Sequence, residues 1–409
     1  MYKRTISKRI TECTKTFPVV LVTGPRQVGK SSLCLELNKS LKWKYVSLEI
    51  RSNYELATKD PELFLKINSF PLIIDEIQKA PILFEYIAPL VNENRYKNQN
   101  ANGMFILTGS HQFSLMKGVS ESLAGRIAII KMSGLSFSEI NEREEIPFEI
   151  NPIVNTKRIL PLSQDSLAKL IYKGSYPELH KNALLNTKEF YTSYVETFIS
   201  KDLHEITKVK NENLFYKFIE ILAAQTGNEL VYANIASKIG VDLKTISSWV
   251  QILEASGLIM LLSPWIDSSA IKRLTKRQKI YFTDTGLACF LNKFDNHKTL
   301  LKSNQFGSLI ETFAVNEIIK THTNAYGVSA NFYYYRDHNF NEIDLIILKD
   351  AKLHFIEVKA GIKYDLKDVK AFNVLQSKQY QIGNCGLVCI TDSIYPIDKN
   401  IYAIPLSSL

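Results

Sequence analysis

Phe17-Pro-Val-Val-Leu-Val-Thr-Gly24-Pro-Arg-Gln-Val-Gly29-Lys30-Ser31-Ser32 is the stretch on which the fold turns. The run from Val19 to Val22 has the length and β-branched content of a buried strand, and a helix is expected from Lys30 onward. Between them stands Gly-x4-Gly-Lys-Ser. Gly24, Pro25, Arg26, Gln27, Val28, Gly29, Lys30, Ser31 and Ser32 therefore make a candidate phosphate cradle. The glycines let backbone N–H groups close round a polyphosphate, Lys30 reaches the β- and γ-phosphates, and Ser31 ligates Mg²⁺ at the positive end of the helix.

A second stretch narrows the chemistry. Ser69-Phe-Pro-Leu-Ile-Ile-Asp75-Glu76 reads as a buried parallel strand ending in two carboxylates. Both acids fall at a strand's carboxyl end, where open α/β sheets bind ligands. Asp75 is expected to hold Mg²⁺ through water, and Glu76 to orient and deprotonate the water that attacks the γ-phosphate. ATP hydrolysis leads over phosphoryl transfer to a metabolite, because Glu76 suits water activation and no acceptor lid is recognisable.

With 409 residues the chain exceeds the size of one growing core, so several domains are expected. A net charge of +9 is compatible with nucleic acid, yet spread over this length it serves solubility equally well. Cys13, Cys34, Cys289, Cys385 and Cys389 show no metal-ligand spacing and fit small buried hydrophobes of a reducing, cytoplasmic setting. Neither a signal core nor a run of about 20 apolar residues occurs, so no membrane association is expected.

The periodicity predicts an α/β multidomain chain. Residues 1–145 alternate strands (Val19–Val22, Tyr45–Glu49, Leu72–Ile74, Met104–Gly109, Ile127–Ile130) with helices and form the parallel-sheet ATPase core. Residues 146–220 start with a proline-punctuated linker, Pro147 to Pro161, and continue as a helical lid or connector. Over residues 221–300, Gly240 turns one short helix into a second whose Ile246, Val250 and Leu253 share a face, followed by two strands flanking a long wing: a winged helix. The wing's Lys272, Arg273, Lys276, Arg277 and Lys279 suit phosphate contacts, with a solvated loop or protein-docking surface as the equal alternative.

Residues 301–409 return to an α/β pattern with a second chemical grouping. Asp344 ends up opposite Glu357-Val-Lys359 on a neighbouring strand, and alternation puts Glu357 and Lys359 on one face. With Glu311 from the preceding helix, three carboxylates are placed to share a second Mg²⁺ or a Mn²⁺ while Lys359 steadies a phosphate. The grouping resembles the PD-(D/E)xK nuclease pattern, and Gln376-Ser-Lys-Gln-Tyr380 matches the Gln-x3-Tyr extension of some members. A solvated strand face and a non-cutting binding module stand beside that reading.

The order of motifs resembles a broad bacterial and archaeal family of AAA+-type ATPases with a C-terminal domain of unknown function that ends like a restriction endonuclease. Besides the loop, the likeness rests on Asp60-Pro61-Glu-Leu-Phe-Leu, Ile74-Asp-Glu-Ile-Gln-Lys-Ala-Pro81, Leu107-Thr-Gly-Ser110, Ser122-Leu-Ala-Gly-Arg126 and Gly174-Ser-Tyr-Pro-Glu178. It continues through Tyr194-Val-Glu-Thr-Phe-Ile-Ser-Lys-Asp202, Tyr281-Phe-Thr-Asp284-Thr-Gly-Leu and the helix from Gly307 to Glu311. The resemblance implies that Ser110 is the polar sensor helping Glu76 place the water. It implies that Arg126 is an arginine finger or sensor for the γ-phosphate, which in trans requires a homo-oligomer or ATP-dependent assembly. Ser200-Lys201 departs from the acidic-basic pair many relatives carry before Asp202. Nucleotide state is expected to control the winged-helix and nuclease-like modules on DNA, with a non-cutting signalling ATPase whose C-terminal domains bind protein partners as the alternative.

Overall fold

The computed structural model describes residues 2–110, 122–199, 211–267, 277–327, 331–361 and 364–409. Five strands, β1 (Val19–Thr23), β2 (Lys44–Ser47), β3 (Leu72–Asp75), β4 (Phe105–Gly109) and β5 (Ile127–Lys131), pair in parallel in the order β2-β3-β4-β1-β5. Alternating side chains serve both faces of this sheet. Val20, Val22, Ile73 and Ile106 enter one core, whereas Val19, Leu21, Leu72, Ile74, Phe105 and Leu107 enter another under the helix Leu83–Asn98. Burial on both sides explains why the inner strands β1, β3 and β4 read as apolar runs.

The middle of the chain contributes helices Glu212–Ala223, Tyr232–Ile239 and Leu243–Ala255 and three short strands, β6 (Asn228–Glu229), β7 (Ile259–Leu262) and β8 (Lys279–Phe282). The strands form an antiparallel sheet in the order β6-β8-β7. Gly240 takes the left-handed conformation that ends the first of the paired helices, and Asp242 caps the second by accepting the Thr245 N–H at 2.7 Å. Ile246, Val250 and Leu253 are buried together, and Trp249 packs on Phe215 and Phe218.

The tail packs helix Phe306–Tyr326 on a mixed sheet. Its strands are β9 (Asn331–Arg336), β10 (Glu342–Lys349), β11 (Lys352–Lys359), β12 (Gln381–Ile382), β13 (Cys385–Cys389), β14 (Tyr395–Asp398) and β15 (Ile401–Pro405). The order is β14-β15-β13-β11-β10-β9, with β12 beside β11. Middle and tail are stitched by backbone. Trp265 N–H donates to the Tyr334 carbonyl at 2.6 Å, and Tyr334 N–H donates to the Ser263 carbonyl at 3.1 Å.

The segment expected to be a linker is instead folded onto the tail. Residues Pro152–Thr156 are helical, Phe148 and Ile150 are buried, and the Phe148 N–H donates to Thr321 Oγ1 at 3.0 Å while its carbonyl meets His322 Nε2 at 2.9 Å. The prolines there start a short helix and bends, and apolar residues between them find a core. One core also runs through all parts, containing Val20, Leu253, Phe313 and Val358. All five cysteines are free and buried, as expected. Among the described residues no helix is long and apolar enough to cross a membrane.

Candidate functional site

The loop after β1 is shaped by close packing. Gly24 has φ 152°, and a Cβ there would lie 2.0 Å from the Met132 carbonyl oxygen, just past β5. Only glycine fits that approach. Lys30 is buried at the start of helix Lys30–Leu41, and its Nζ donates to the carbonyls of Gly24 at 2.9 Å and Pro25 at 2.7 Å. The ammonium is thereby held inside the loop. From outside, Arg4 props the same loop: it is 4% exposed and donates to the Val28 carbonyl at 2.7 Å, the Ser133 carbonyl at 2.8 Å and Glu139 Oε2 at 3.1 Å.

Asp75 closes β3 with 1% exposure. Thr108 donates to its Oδ1, and Tyr45 donates to its Oδ2 at 2.9 Å. The Thr108 hydroxyl also accepts the Glu76 N–H at 3.2 Å, so β4 fixes both acids of β3. Glu76 has φ 60° and ψ 47°, a left-handed conformation that costs a non-glycine residue energy and takes its carboxylate off the strand line. Gln78 Nε2 donates to Glu76 Oε2 and lies 3.4 Å from Ser110 Oγ. Glu76, Gln78 and Ser110 thus converge at the carboxyl edge of the sheet.

That edge is also the loop's. Burial first, then the charge of Asp75, holds the Cys34 thiol of the loop helix well above its usual range, with Lys30 opposing and Glu76 adding to the rise. Ser31 and Asp75 offer oxygen donors, the type a hard Mg²⁺ takes alongside nucleotide phosphates and water. Arg126 is elsewhere. It precedes β5, whose Ile127 pairs with Val19 at the start of β1, placing it at the opposite edge, roughly 15 Å from the loop at about 3.3 Å per residue. Its Nε donates to Asn92 Oδ1 at 2.9 Å.

Two later motifs meet beside the loop. Asp284, 4% exposed, accepts the Ser175 N–H at 2.6 Å and hydroxyl at 2.7 Å, the Tyr191 hydroxyl at 2.6 Å and the Leu287 N–H at 2.8 Å. This clamp sets the turn that brings Pro177 to within 3.9 Å of a Cβ built on Gly29. Asp284→Ala strands four donors in a dry interior and is expected to cost about 3–5 kcal/mol, against about 1 kcal/mol for Tyr191→Phe. Denaturant midpoints check this; equal shifts for the two variants would refute the clamp.

In the tail, Glu311 and Asp344 do gather, together with Glu342, but around a lysine, while Glu357 pairs with Lys359. Lys279 Nζ, on a side chain 1% exposed, lies 2.9 Å from Glu311 Oε1 and 3.3 Å from Asp344 Oδ1 and also pairs with Glu342. Tyr281 donates to Glu311 Oε1 at 2.7 Å, and the Val358 N–H donates to Asp344 Oδ2 at 2.9 Å. Burial pulls Lys279 down, but Glu311, Tyr281, Asp344 and Glu342 outweigh it and hold it well above the usual lysine range. Burial and Asp344 push Glu357 up to about 9 and Glu311 to about 7. Lys359 donates to Glu357 Oε1 at 2.6 Å.

Lys279 therefore does not belong to the exposed basic wing in which its sequence neighbours placed it. Lys272, Arg273 and Lys276 lie outside the described residues, as do Ser200, Lys201 and Asp202. Gln376 is exposed on an irregular stretch after Lys370–Asn373. Sequence reasoning missed Arg4, Tyr45, Thr108, Gln78 and the pairing of Lys279. Thr108 and Gln78 stood inside motifs already singled out; Arg4 and Tyr45 gave no local signal.

Strand order, loop and paired acids are those of a nucleotide-binding parallel sheet, and the comparison with protein families agrees. Residues 16–141 match an AAA domain. The chain thus carries an AAA-type P-loop domain, and residues 306–409 match a domain of unknown function, DUF4143, with DUF8612, also of unknown function, over 164–298. An uncharacterized protein of Mycobacterium tuberculosis is 23% identical over 410 residues, covering 100% of this chain and 84% of that protein. One from Methanocaldococcus jannaschii is 25% identical over 330 residues, covering 72% and 66%. Among solved structures, the Walker-type ATPase of Pyrococcus abyssi superposes with a TM-score of 0.44 at 14% identity, covering 71% of this chain and 96% of that one. AMPPCP-bound DnaA of Aquifex aeolicus gives 0.29 at 13%, covering 60% and 86%.

Proposed function

We propose that the chain is a Mg²⁺-dependent ATP hydrolase of the AAA+ kind whose nucleotide state governs its middle and C-terminal modules. The observation that carries this reading is the convergence of Glu76, Gln78 and Ser110 on the sheet edge that bears Lys30 and Asp75. Lys30 grips the β- and γ-phosphates, and Ser31 and Asp75 hold the ion. Bound Mg²⁺ supplies charge neutralisation on the transferring phosphoryl group. Glu76 accepts the proton of the attacking water, which Gln78 and Ser110 orient. Arg126, too far from its own loop, serves the loop of a neighbouring copy.

Release of inorganic phosphate from ATP with Mg²⁺ tests the reading, and transfer of the phosphoryl group to a metabolite instead would overturn it. Lys30→Ala removes charge-assisted bonds to phosphate and is expected to weaken ATP binding roughly 10- to 100-fold, checked by calorimetric titration. The paired helices, three-stranded sheet and basic segment of the middle module support a winged helix whose partner is duplex DNA. Turnover with and without duplex, over a range of salt, tests that partner. The presence of Lys279 among the tail's carboxylates favours the alternative of a switch that signals to a partner without cutting.

A further inference from the structure

The carboxylates at the start of β10 and on helix Phe306–Tyr326 come from the tail, yet the cation among them comes from β8 of the middle sheet. Lys279 Nζ is within ion-pair distance of Glu311, Glu342 and Asp344 at once. Glu342 is shared further with Arg336 at 3.6 Å, and Arg336 reaches Glu229 of β6 at 3.7 Å. The Tyr334 ring lies 5.7 Å from the same ammonium, and its hydroxyl donates to Glu229 Oε1 at 2.9 Å and to the Arg277 carbonyl at 2.6 Å. The ammonium thus meets three carboxylates and lies beside one aromatic ring. Among the described residues, no group of three or more His, Cys, Asp and Glu side chains is arranged to hold a metal ion.

We propose that Lys279 occupies the position at which a metal-dependent nuclease would hold its divalent cation, so that this acidic cluster is an internal latch between the middle sheet and the tail rather than a cutting site. A monovalent ammonium on a strand can satisfy three carboxylates only by linking the element that carries it to those that carry them. The residues do not fit a second Mg²⁺ or Mn²⁺ while Lys279 is seated: cation and ammonium would share one set of oxygens, and like charges in a buried space repel. Val358 N–H already takes the remaining Asp344 oxygen. Glu357 gives Oε1 to its own neighbour Lys359, while its buried Oε2 has no hydrogen-bond partner.

The latch also bears on the other end of the molecule. β8 is followed by Thr283, whose hydroxyl donates to the Gly257 carbonyl at 2.6 Å, and a Cβ on Gly257 would stand 3.0 Å from Pro25 of the phosphate loop. Lys279 is thus four residues from a group that touches Gly257, and Gly257 touches the loop. The sheet pinned by Lys279 is the one that rests on the nucleotide site.

The deciding experiment titrates Mn²⁺, without nucleotide, into the full chain and into Asp344→Asn, reading bound ion by electron paramagnetic resonance and the thermal midpoint alongside. Asparagine keeps the acceptor for Val358 N–H but removes the charge a cation needs. The proposal expects identical Mn²⁺ uptake by the two proteins, whatever the phosphate-loop acids contribute to both. A saturable Mn²⁺ site in the parent that Asp344→Asn abolishes, or Mn²⁺-dependent DNA cleavage that it abolishes, overturns the latch. A second variant, Lys279→Met, is expected to melt lower than the parent and to recover part of that loss on adding Mn²⁺, which the parent does not. If Lys279→Met proves too unstable to purify, the parent comparison decides alone; a Lys279→Met chain as stable as the parent without metal also overturns the proposal.

Discussion

Glu76→Gln is expected to bind ATP as the parent does and to hydrolyse it ~10²- to 10⁴-fold more slowly, the range over which a positioned general base contributes. The geometry gives three reasons. Glu76 leaves β3 in a left-handed conformation that Thr108 locks through the backbone N–H, so the carboxylate's position is paid for in strain and is specific. Gln78 and Ser110 stand with it, and neither can accept a proton at neutral pH. Glutamine retains the side chain's length and its hydrogen-bonding oxygen, which keeps the site assembled while removing the base. Nucleotide affinity by calorimetry and phosphate release in a single turnover separate the two effects. Normal turnover by Glu76→Gln would remove Glu76 as the base.

Arg126→Ala is expected to bind ATP normally and to lose roughly 10³-fold in turnover, the lower part of the range known for arginine fingers. The parallel register puts the length of the sheet between Arg126 and its own loop, and the proposed role in trans would take it to the loop of another copy. Mixing supplies the decisive measurement. Arg126→Ala chains have an intact Glu76, and Glu76→Gln chains have an intact Arg126; a mixture of the two should hydrolyse ATP although each alone does not. Absence of complementation with assembly intact would return Arg126 to its bond with Asn92, an ordinary surface contact.

What the chain discloses in its own order is what short-range physics controls. The strands β1, β3 and β4 were legible because burial on both faces leaves apolar runs, and the loop because Gly24, Gly29, Lys30 and Ser31 lie within eight residues. Gly240 and the stripe of Ile246, Val250 and Leu253 showed the paired helices for the same reason. Long-range pairings left no such trace. Arg4 meets Glu139 at a separation of 135 residues, and Lys279 meets Asp344 at 65. A lysine amid Lys272, Arg273, Lys276 and Arg277 reads as one more surface charge, since only burial of β8 on both faces encloses it. The proline-rich stretch misled similarly: composition reported bends, while the partners that bury Phe148 and Ile150 lie far along the chain.

The seat of Pro25 on Gly257 carries a thermodynamic obligation. If ATP binding at the loop is coupled through that seat to binding at the tail, linkage requires the bound partner to change ATP affinity by the same factor. A nucleotide titration repeated with candidate partners present would therefore reveal the right one by a displaced curve, before any product of its action is known. Gly257→Ala, which places a methyl group 3.0 Å from the Pro25 ring in a backbone conformation that disfavours it, alters the common term in both directions of that exchange.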